Sequence, residues 1–326
     1  METLLSIFRG LADPSRVRIL LLVRRMELSV GELAAVLGQS QPRVSRHIRI
    51  LADAGLVRRA KEGAWVFVRL GEVAICHPVL AAFDALATTT DQTTAIADLD
   101  RLAVVRAERA AAADAWFAGH AADWDRERSL HIAESQVEAA IVAALGRDGL
   151  GRPDNLGSLI DVGTGTGRMI ELLGGRATAA LGIDRSPEML RLARGRIEAS
   201  GLAHAEVRRG DMYALPRGDR SADTVVLHQV LHFADDPAAV IAEAARVLAP
   251  GGRLAVIDFM PHGREELRSH QRHVRLGFAD AQVLGWMAAA GLSGTVVAQL
   301  PAPGALGVTL WLGTHATESI RQRRAA

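Results

Sequence analysis

Cysteine is all but missing from this sequence: Cys76 is the only one in 326 residues. A single thiol excludes an internal disulfide and any metal centre built from several thiolates. Long apolar runs are missing as well. No stretch of about 18 apolar residues occurs, so no membrane span is expected. The opening METLLSIFRGLADPSR lacks a basic start followed by an apolar stretch and a small-residue cleavage site. No secretory leader is expected, and the cytoplasm is the expected location. Net charge is also slight, +1 overall. What the chain does have is 49% hydrophobic and 23% charged residues, the balance of a globular protein. Its length allows two domains with independent cores.

The small net charge is unevenly spread. Residues 1–70 hold 12 Lys+Arg against 6 Asp+Glu, a net of +6, so the remainder carries −5. A basic segment ahead of an acidic remainder suggests a nucleic-acid-binding module joined to something else, although a solvated Arg-rich surface gives the same count.

Local patterns sharpen that suggestion. LLSIFRGLADPSRVRILLLVRR has apolar residues at helical spacing, broken at Asp13-Pro14, a turn and helix-start signal. SVGELAAVLG opens on Ser29, has Glu32 at the capping-box spacing and ends at Gly38. In QSQPRVSRHIRILADAGLV, Pro42 suits a first helical turn and Gly55 an end. VRRAKEGAWVFVRL alternates on both sides of Glu62-Gly63, which predicts a hairpin. Helix, turn, helix and a two-stranded wing make a winged helix-turn-helix. On its second helix, Val44, Ile48 and Leu51 share the buried face, leaving Arg43, Arg46, Arg49 and Ile50 opposite, with Gln41 and Ser45 near the start. Arg suits guanine, Gln adenine, and Ser either role in a major groove. Arg58, Arg59 and Lys61 on the wing are placed for phosphates or the adjacent minor groove.

LADPSRVRIL, ELSVGELAAVLG, SQPRVSRHIRILADAGLV and RRAKEGAWVFVRL together resemble the ArsR family of bacterial repressors over residues ~3–75. The resemblance implies a homodimer on double-stranded operator DNA, with Gln41, Arg43, Ser45, Arg46, His47, Arg49, Arg58, Arg59 and Lys61 as DNA-contacting residues. One departure stands out. Where that family carries ELCVCDL, with two cysteines for arsenite or soft metals, this chain has ELSVGEL, with Ser29 and Gly31 in their places. Neither residue replaces a thiolate, so no soft-metal site of the usual kind is expected. Cys76 is expected to be a small buried residue.

From about 78 to 148 the chain reads as helical, Ala-rich and charged, with ATTTDQTT (87–94) as the candidate linker. The helix that follows is either a dimerisation element or a solvated spacer. Beyond residue 156, SLIDVG, AALGID, AEVRRGD, DTVVLHQ and RLAVIDF are short strand runs alternating with helices, which predicts a parallel sheet covered on both faces. TVVAQLPA and GVTLWLGTH predict a terminal antiparallel hairpin.

LIDVGTGTGRM (159–169) follows a strand and opens a helix. Gly163, Gly165 and Gly167 have G-x-G-x-G spacing, not the G-x-G-x-x-G of dinucleotide sites. Asp161 also argues against a pyrophosphate, since a carboxylate there suits an amino group or its bridging water. Asp184, 21 residues after Gly163, ends the next strand, where a carboxylate reaches both hydroxyls of a ribose. Asp211, at the third strand's end, can accept from an adenine amino group, with Met212 packing on the ring. These residues resemble the class I S-adenosylmethionine (SAM)-dependent methyltransferases. DTVVLHQVLHFADDP and EAARVLAPGGRLAVIDF extend the resemblance to the small-molecule, UbiE-like branch, over residues ~115–316. It implies SAM or S-adenosylhomocysteine (SAH) as ligand, with Asp161, Gly163, Thr164, Gly165, Gly167, Asp184, Arg185, Asp211, Met212 and His228 as contacts. His228 is the candidate catalytic base, a cofactor contact or a structural histidine; His232 fits the structural role better. Methyl transfer needs mainly positioning and desolvation, so no nucleophile is demanded of the protein. Arsenite methylation is not expected, because no cysteine follows residue 76.

The implied architecture is an α+β winged helix-turn-helix (1–86), a helical linker and possible dimerisation segment (87–130), an α/β, Rossmann-like methyltransferase domain with a mostly parallel sheet and an antiparallel terminal hairpin (131–316), and a basic tail (317–326). Two functions follow from it. One is a transcriptional regulator whose methyltransferase fold senses SAM or SAH in place of a metal. The other is an active small-molecule methyltransferase carrying a DNA-binding domain.

Overall fold

Asp13 and Pro14 split the first apolar stretch into two helices. In the computed structural model, which describes residues 2–62, 65–86, 92–120, 134–146, 155–302 and 305–315, α1 spans Glu2–Leu11 and α2 spans Pro14–Arg25. The Asp13 carboxylate accepts from the N–H groups of Ser15 (2.8 Å) and Arg16 (3.2 Å), supplying partners that the first helical turn lacks. A two-residue strand β1 (Leu28–Ser29) leads into α3 (Val30–Leu37), which carries the expected capping box of Ser29 and Glu32 and ends on left-handed Gly38. Next come α4 (Gln41–Asp53), with Pro42 in its first turn, and the hairpin β2 (Val57–Glu62) and β3 (Trp65–Leu70). β1 was not legible in advance; it pairs antiparallel with β3, Leu28 against Val68, giving the sheet order β1-β3-β2.

Two further helices complete the first unit, α5 (Val73–Leu86) and α6 (Gln92–His120). The chain divides into compact units at Met1–Ala112 and Ala113–Ala326. The helix expected as a connector therefore belongs largely to the first unit: Leu102 and Val105 join Ile19, Leu33, Val44, Ile48 and Leu51 in its core. Cys76 is buried there, its thiol donating to the Leu56 carbonyl at 3.2 Å, as a small core residue should. Of the expected linker and tail, residues 87–91, 121–130 and 317–326 lie outside the described residues.

In the second unit, α7 (Glu134–Gly146) precedes β4 (Gly157–Val162), α8 (Arg168–Leu173), β5 (Ala177–Asp184), α9 (Pro187–Ala199), β6 (Ala205–Arg209) and β7 (Ala222–His228). α10 (Pro237–Val247), β8 (Leu248–Phe259), α11 (Glu266–His270), α12 (Asp280–Ala289), β9 (Leu292–Leu300) and β10 (Val308–His315) follow. The seven strands order as β6-β5-β4-β7-β8-β10-β9. β4 through β8 run parallel, and β10 lies antiparallel between β8 and β9. Alternation along β7 sends Val225 and Leu227 into one core and Val226 into the other, so both sheet faces are buried. The chain winds outward from β4 to β6 and returns beside β4 as β7. That reversal opens a crevice at the carboxyl ends of β4 and β7, the usual ligand position in such sheets.

Candidate functional site

A cavity occupies that crevice. Of the ten expected ligand contacts, Asp161, Gly163, Thr164, Gly165, Asp184, Arg185, Met212 and His228 line it. Gly163, Gly165 and Gly167 all have positive φ, at 69°, 52° and 84°, so the loop after β4 takes a path that other residues rarely follow. The bend turns its first N–H groups inward. Gly163 and Thr164 donate to the Ile183 carbonyl (2.8 and 3.0 Å), and Gly165 donates to Asp184 Oδ2 (2.8 Å). Asp161, fully buried, accepts from the Thr164 hydroxyl at 2.5 Å. A pyrophosphate would find these loop N–H groups already engaged and two carboxylates nearby, so the site is built against it. A ribose and a cationic sulfonium fit the same set.

Asp184 is held on both oxygens: Oδ1 accepts from the Ser186 N–H at 2.9 Å, opposite the bond from Gly165. These bonds fix the carboxylate's orientation in the cavity wall. Ser186 in turn caps α9 through the Met189 N–H at 3.2 Å, which fixes the cavity wall beyond it. The apolar wall consists of Met169, Ile183, Met189, Val230 and Phe233.

Two expected contacts do not line the cavity. Asp211 is exposed, two residues past the end of β6, and its Oδ1 accepts from the Tyr213 N–H at 3.0 Å in a local turn. Gly167 serves packing instead: a Cβ there would lie 3.0 Å from Ala193 Cβ and 3.1 Å from Ala193 Cα on α9. Gly167→Ala combines that contact with left-handed backbone, so it is expected to destabilise the second unit by about 2 kcal/mol or more. Thermal unfolding will test this, with unchanged stability counting against the close approach.

Sequence patterns missed Arg168 and Gln229, each one residue beyond a motif residue. Arg168 clasps Glu138 of α7 through two bonds (2.6 and 2.8 Å) and Glu171 through a third (2.7 Å). The Glu138 bond, outweighing partial burial, raises its already high pKa. Gln229 is buried in left-handed backbone (φ 53°) in the cavity wall, its N–H donating to the Ile257 carbonyl at 2.7 Å. His228 is buried in the same wall. His232 is not part of it: its Nδ1 lies 2.8 Å from Asp258 Oδ1, and its carbonyl accepts from Val274 and Arg275. Among the described residues, no group of three His, Cys, Asp or Glu side chains is arranged to hold a metal ion.

In the first unit, Gln41, Arg43, Ser45, Arg46 and Arg49 form an exposed face on α4. Arg43, Arg46 and Arg49 have no ion pair among the described residues, and the same holds for exposed Arg59 on β2. Arg58 is exposed and paired with Glu72 at 3.0 Å. The Lys61 side chain lies outside the described residues. His47 departs from expectation. It is only 7% exposed, facing inward beside Val44 and Ile48, with Nδ1 3.9 Å from Asp13 Oδ1. Burial there lowers its pKa against the pull of Asp13, and the ring faces inward while the arginines of α4 face out.

Comparison with known proteins matches each unit to a different family model. Residues 13–59 match the family model for bacterial regulatory proteins of the arsR family, and residues 160–256 match a methyltransferase domain. The chain is 43% identical over 67 residues to the arsenical resistance operon repressor of Escherichia coli K12, covering 20% of this chain and 57% of that protein. It is 44% identical over 108 residues to a demethylmenaquinone methyltransferase of Thermus thermophilus, covering 32% and 47%. It is also 41% identical over 129 residues to an uncharacterised 37.1 kDa protein in transposon TN4556 of Streptomyces fradiae, covering 36% of each. The chain thus spans between about a third and somewhat over half of the length of these relatives.

Proposed function

Since one chain joins an arsR-family helix-turn-helix to a methyltransferase domain, we propose that it is a transcriptional regulator, acting as a repressor, whose second unit binds SAM or SAH as effector. The observation that carries the proposal is the cavity at the β4–β7 crevice. It combines a carboxylate placed for a ribose, an apolar wall, and a glycine loop whose inward N–H groups leave little for a phosphate. The exposed arginine face of α4 supplies a second, separate surface suited to operator DNA. A homodimer is part of the proposal: Leu4, Leu5 and Phe8 of α1 are 51%, 45% and 61% exposed, an apolar surface that a second copy would cover. A ligand shifts DNA affinity only as far as its own affinity differs between the two protein states, typically about 1–3 kcal/mol.

Fluorescence anisotropy of the gene's own upstream DNA, at fixed salt, tests this directly. Saturating SAM or SAH is expected to change the apparent Kd by about 5-fold or more. Tight DNA binding indifferent to both would sink the effector role. The second reading, a small-molecule methyltransferase, has His228 and Gln229 in the cavity wall in its favour; it requires methyl transfer from labelled SAM to an acceptor.

A further inference from the structure

Helix α6 is fastened to the helix-turn-helix at two places, one near its start and one farther along. The first is deep. Asp98, 4% exposed, accepts two bonds from Arg18 of α2, both 2.6 Å, and one from Arg101 at 2.9 Å. Arg101 also donates to the Val36 carbonyl near the end of α3, at 2.5 Å. The second lies eight residues farther along. Arg109 meets Glu32 through two bonds of 2.8 Å and reaches the Glu27 carbonyl at 3.2 Å. Because the start of α3 meets the later residue and its end the earlier one, α3 and α6 run in opposite directions. Both ends of α3 are therefore tied to one rod, about 12 Å apart along it at 1.5 Å per residue.

Glu32 has a second duty. Its Oε2 accepts from the Ser29 N–H at 2.7 Å, closing the capping box that starts α3. One carboxylate thus ends the first turn of α3 and anchors α6. The two side chains are 23% and 25% exposed, enough burial to make a two-point pair directional. α3 connects to α4, the helix bearing the arginine face, through only Gly38, Gln39 and Ser40. In the other direction α6 continues without a break to His120, eight residues past the end of the first unit at Ala112.

We propose that the Glu32–Arg109 pair is a regulatory joint: it passes displacement of α6, driven by ligand binding in the second unit, to α3 and hence to the DNA-reading helix. The inference rests on the reading of SAM or SAH as effector. Asp98 and its arginines act as the fixed pivot, and the Arg109 end, nearer the second unit in sequence, is the one that moves. Helix shifts of about 1–2 Å are typical of such transitions, enough to break one arm of a two-point pair. DNA binding must by reciprocity alter ligand affinity through the same contacts.

The test uses the full-length chain with Arg109→Gln and Glu32→Gln, since Gln at the third helical position keeps the capping box while removing the charge. SAM and SAH affinities are measured by calorimetry, and upstream-DNA affinity by anisotropy with and without each ligand. Both variants are expected to bind ligand, and DNA in its absence, within about 2-fold of wild type, while the ligand effect on DNA affinity falls from about 5-fold or more to under about 2-fold. The double variant should lose no more than either single one, as for two residues acting through one contact. If the wild type responds and both variants respond equally, the joint is overturned and the effector reading stands. If the wild type itself is indifferent to SAM and SAH, the effector reading fails and the joint falls with it. If ligand-free DNA binding is lost in both variants, the pair is a folding contact only, which also overturns it.

Discussion

Replacing Asp184 with alanine is expected to weaken SAM and SAH binding by at least ~100-fold and to leave DNA binding by the ligand-free protein unchanged. The carboxylate does two things at once. It receives the Gly165 and Ser186 N–H groups, which hold the glycine loop and the start of α9 in register. It also lines the cavity, where a ribose would place two hydroxyls. Hydrogen bonds to a charged group contribute about 1.5–3 kcal/mol each. Losing two of them corresponds to about 3–6 kcal/mol, and a loosened loop adds to that loss. Asp184→Asn should be nearly as damaging, because its amide sets a donor against one of the two N–H groups. The proposed DNA-binding face belongs to the first unit, whose core shares no residue with this site. Calorimetry with each ligand decides the matter. Affinity within about threefold of wild type would remove Asp184 from the ligand site, and loss of ligand-free DNA binding would deny that the two sites are separable.

The parts of this structure that were legible in the sequence are those set by near neighbours. The Ser29–Glu32 capping box, the Asp13 cap and the alternation of the strands depend on residues a few positions apart, and all formed as their patterns predicted. The glycine loop with Asp184 was legible for a related reason: strand ends in a parallel sheet converge wherever the chain reverses its winding. What escaped depends on distant partners. β1 exists only because Leu28 meets Val68. The place of α6 in the first unit rests on Arg18–Asp98, 80 residues apart, and Glu32–Arg109, 77 apart. His47 is a different kind of miss. It stands three residues after Val44 and four before Leu51, the spacing of the buried face, although the family resemblance implied a DNA contact there. Asp211 and Gly167 carried motif signals, but a local turn takes up the one and packing against α9 the other. The segment ELSVGEL could show that thiolates are missing; only the fold could show that its Glu32 is paired with Arg109.

The double substitution Arg43→Ala, Arg46→Ala is expected to reduce specific DNA binding by ~30-fold to ~10⁴-fold, taking each base-reading arginine as about 1–3 kcal/mol. The case rests on contrast within the first unit. Arg18 and Arg101 are spent on carboxylates and carbonyls of the fold, so removing either disturbs the protein itself. Arg43 and Arg46 are exposed, with no ion pair among the described residues. An isolated cation at such a surface contributes little to folding, so stability should stay within about 0.5 kcal/mol of wild type. Melting curves therefore separate a lost interface from a lost fold. Salt dependence then separates the two ways an arginine can bind. A phosphate contact lowers affinity for all sequences and flattens the salt slope by about one per contact, whereas a base contact relaxes preference at one position. Residues near the start of α4 should behave in the second way, since in helix-turn-helix proteins the beginning of the second helix reaches the base edges. Arg59, on the wing, should behave in the first. Specific binding within about threefold of wild type, in a variant that melts normally, would mean that α4 does not read this DNA. The arginines would then be only a solvated face, the alternative that the uneven charge of residues 1–70 left open.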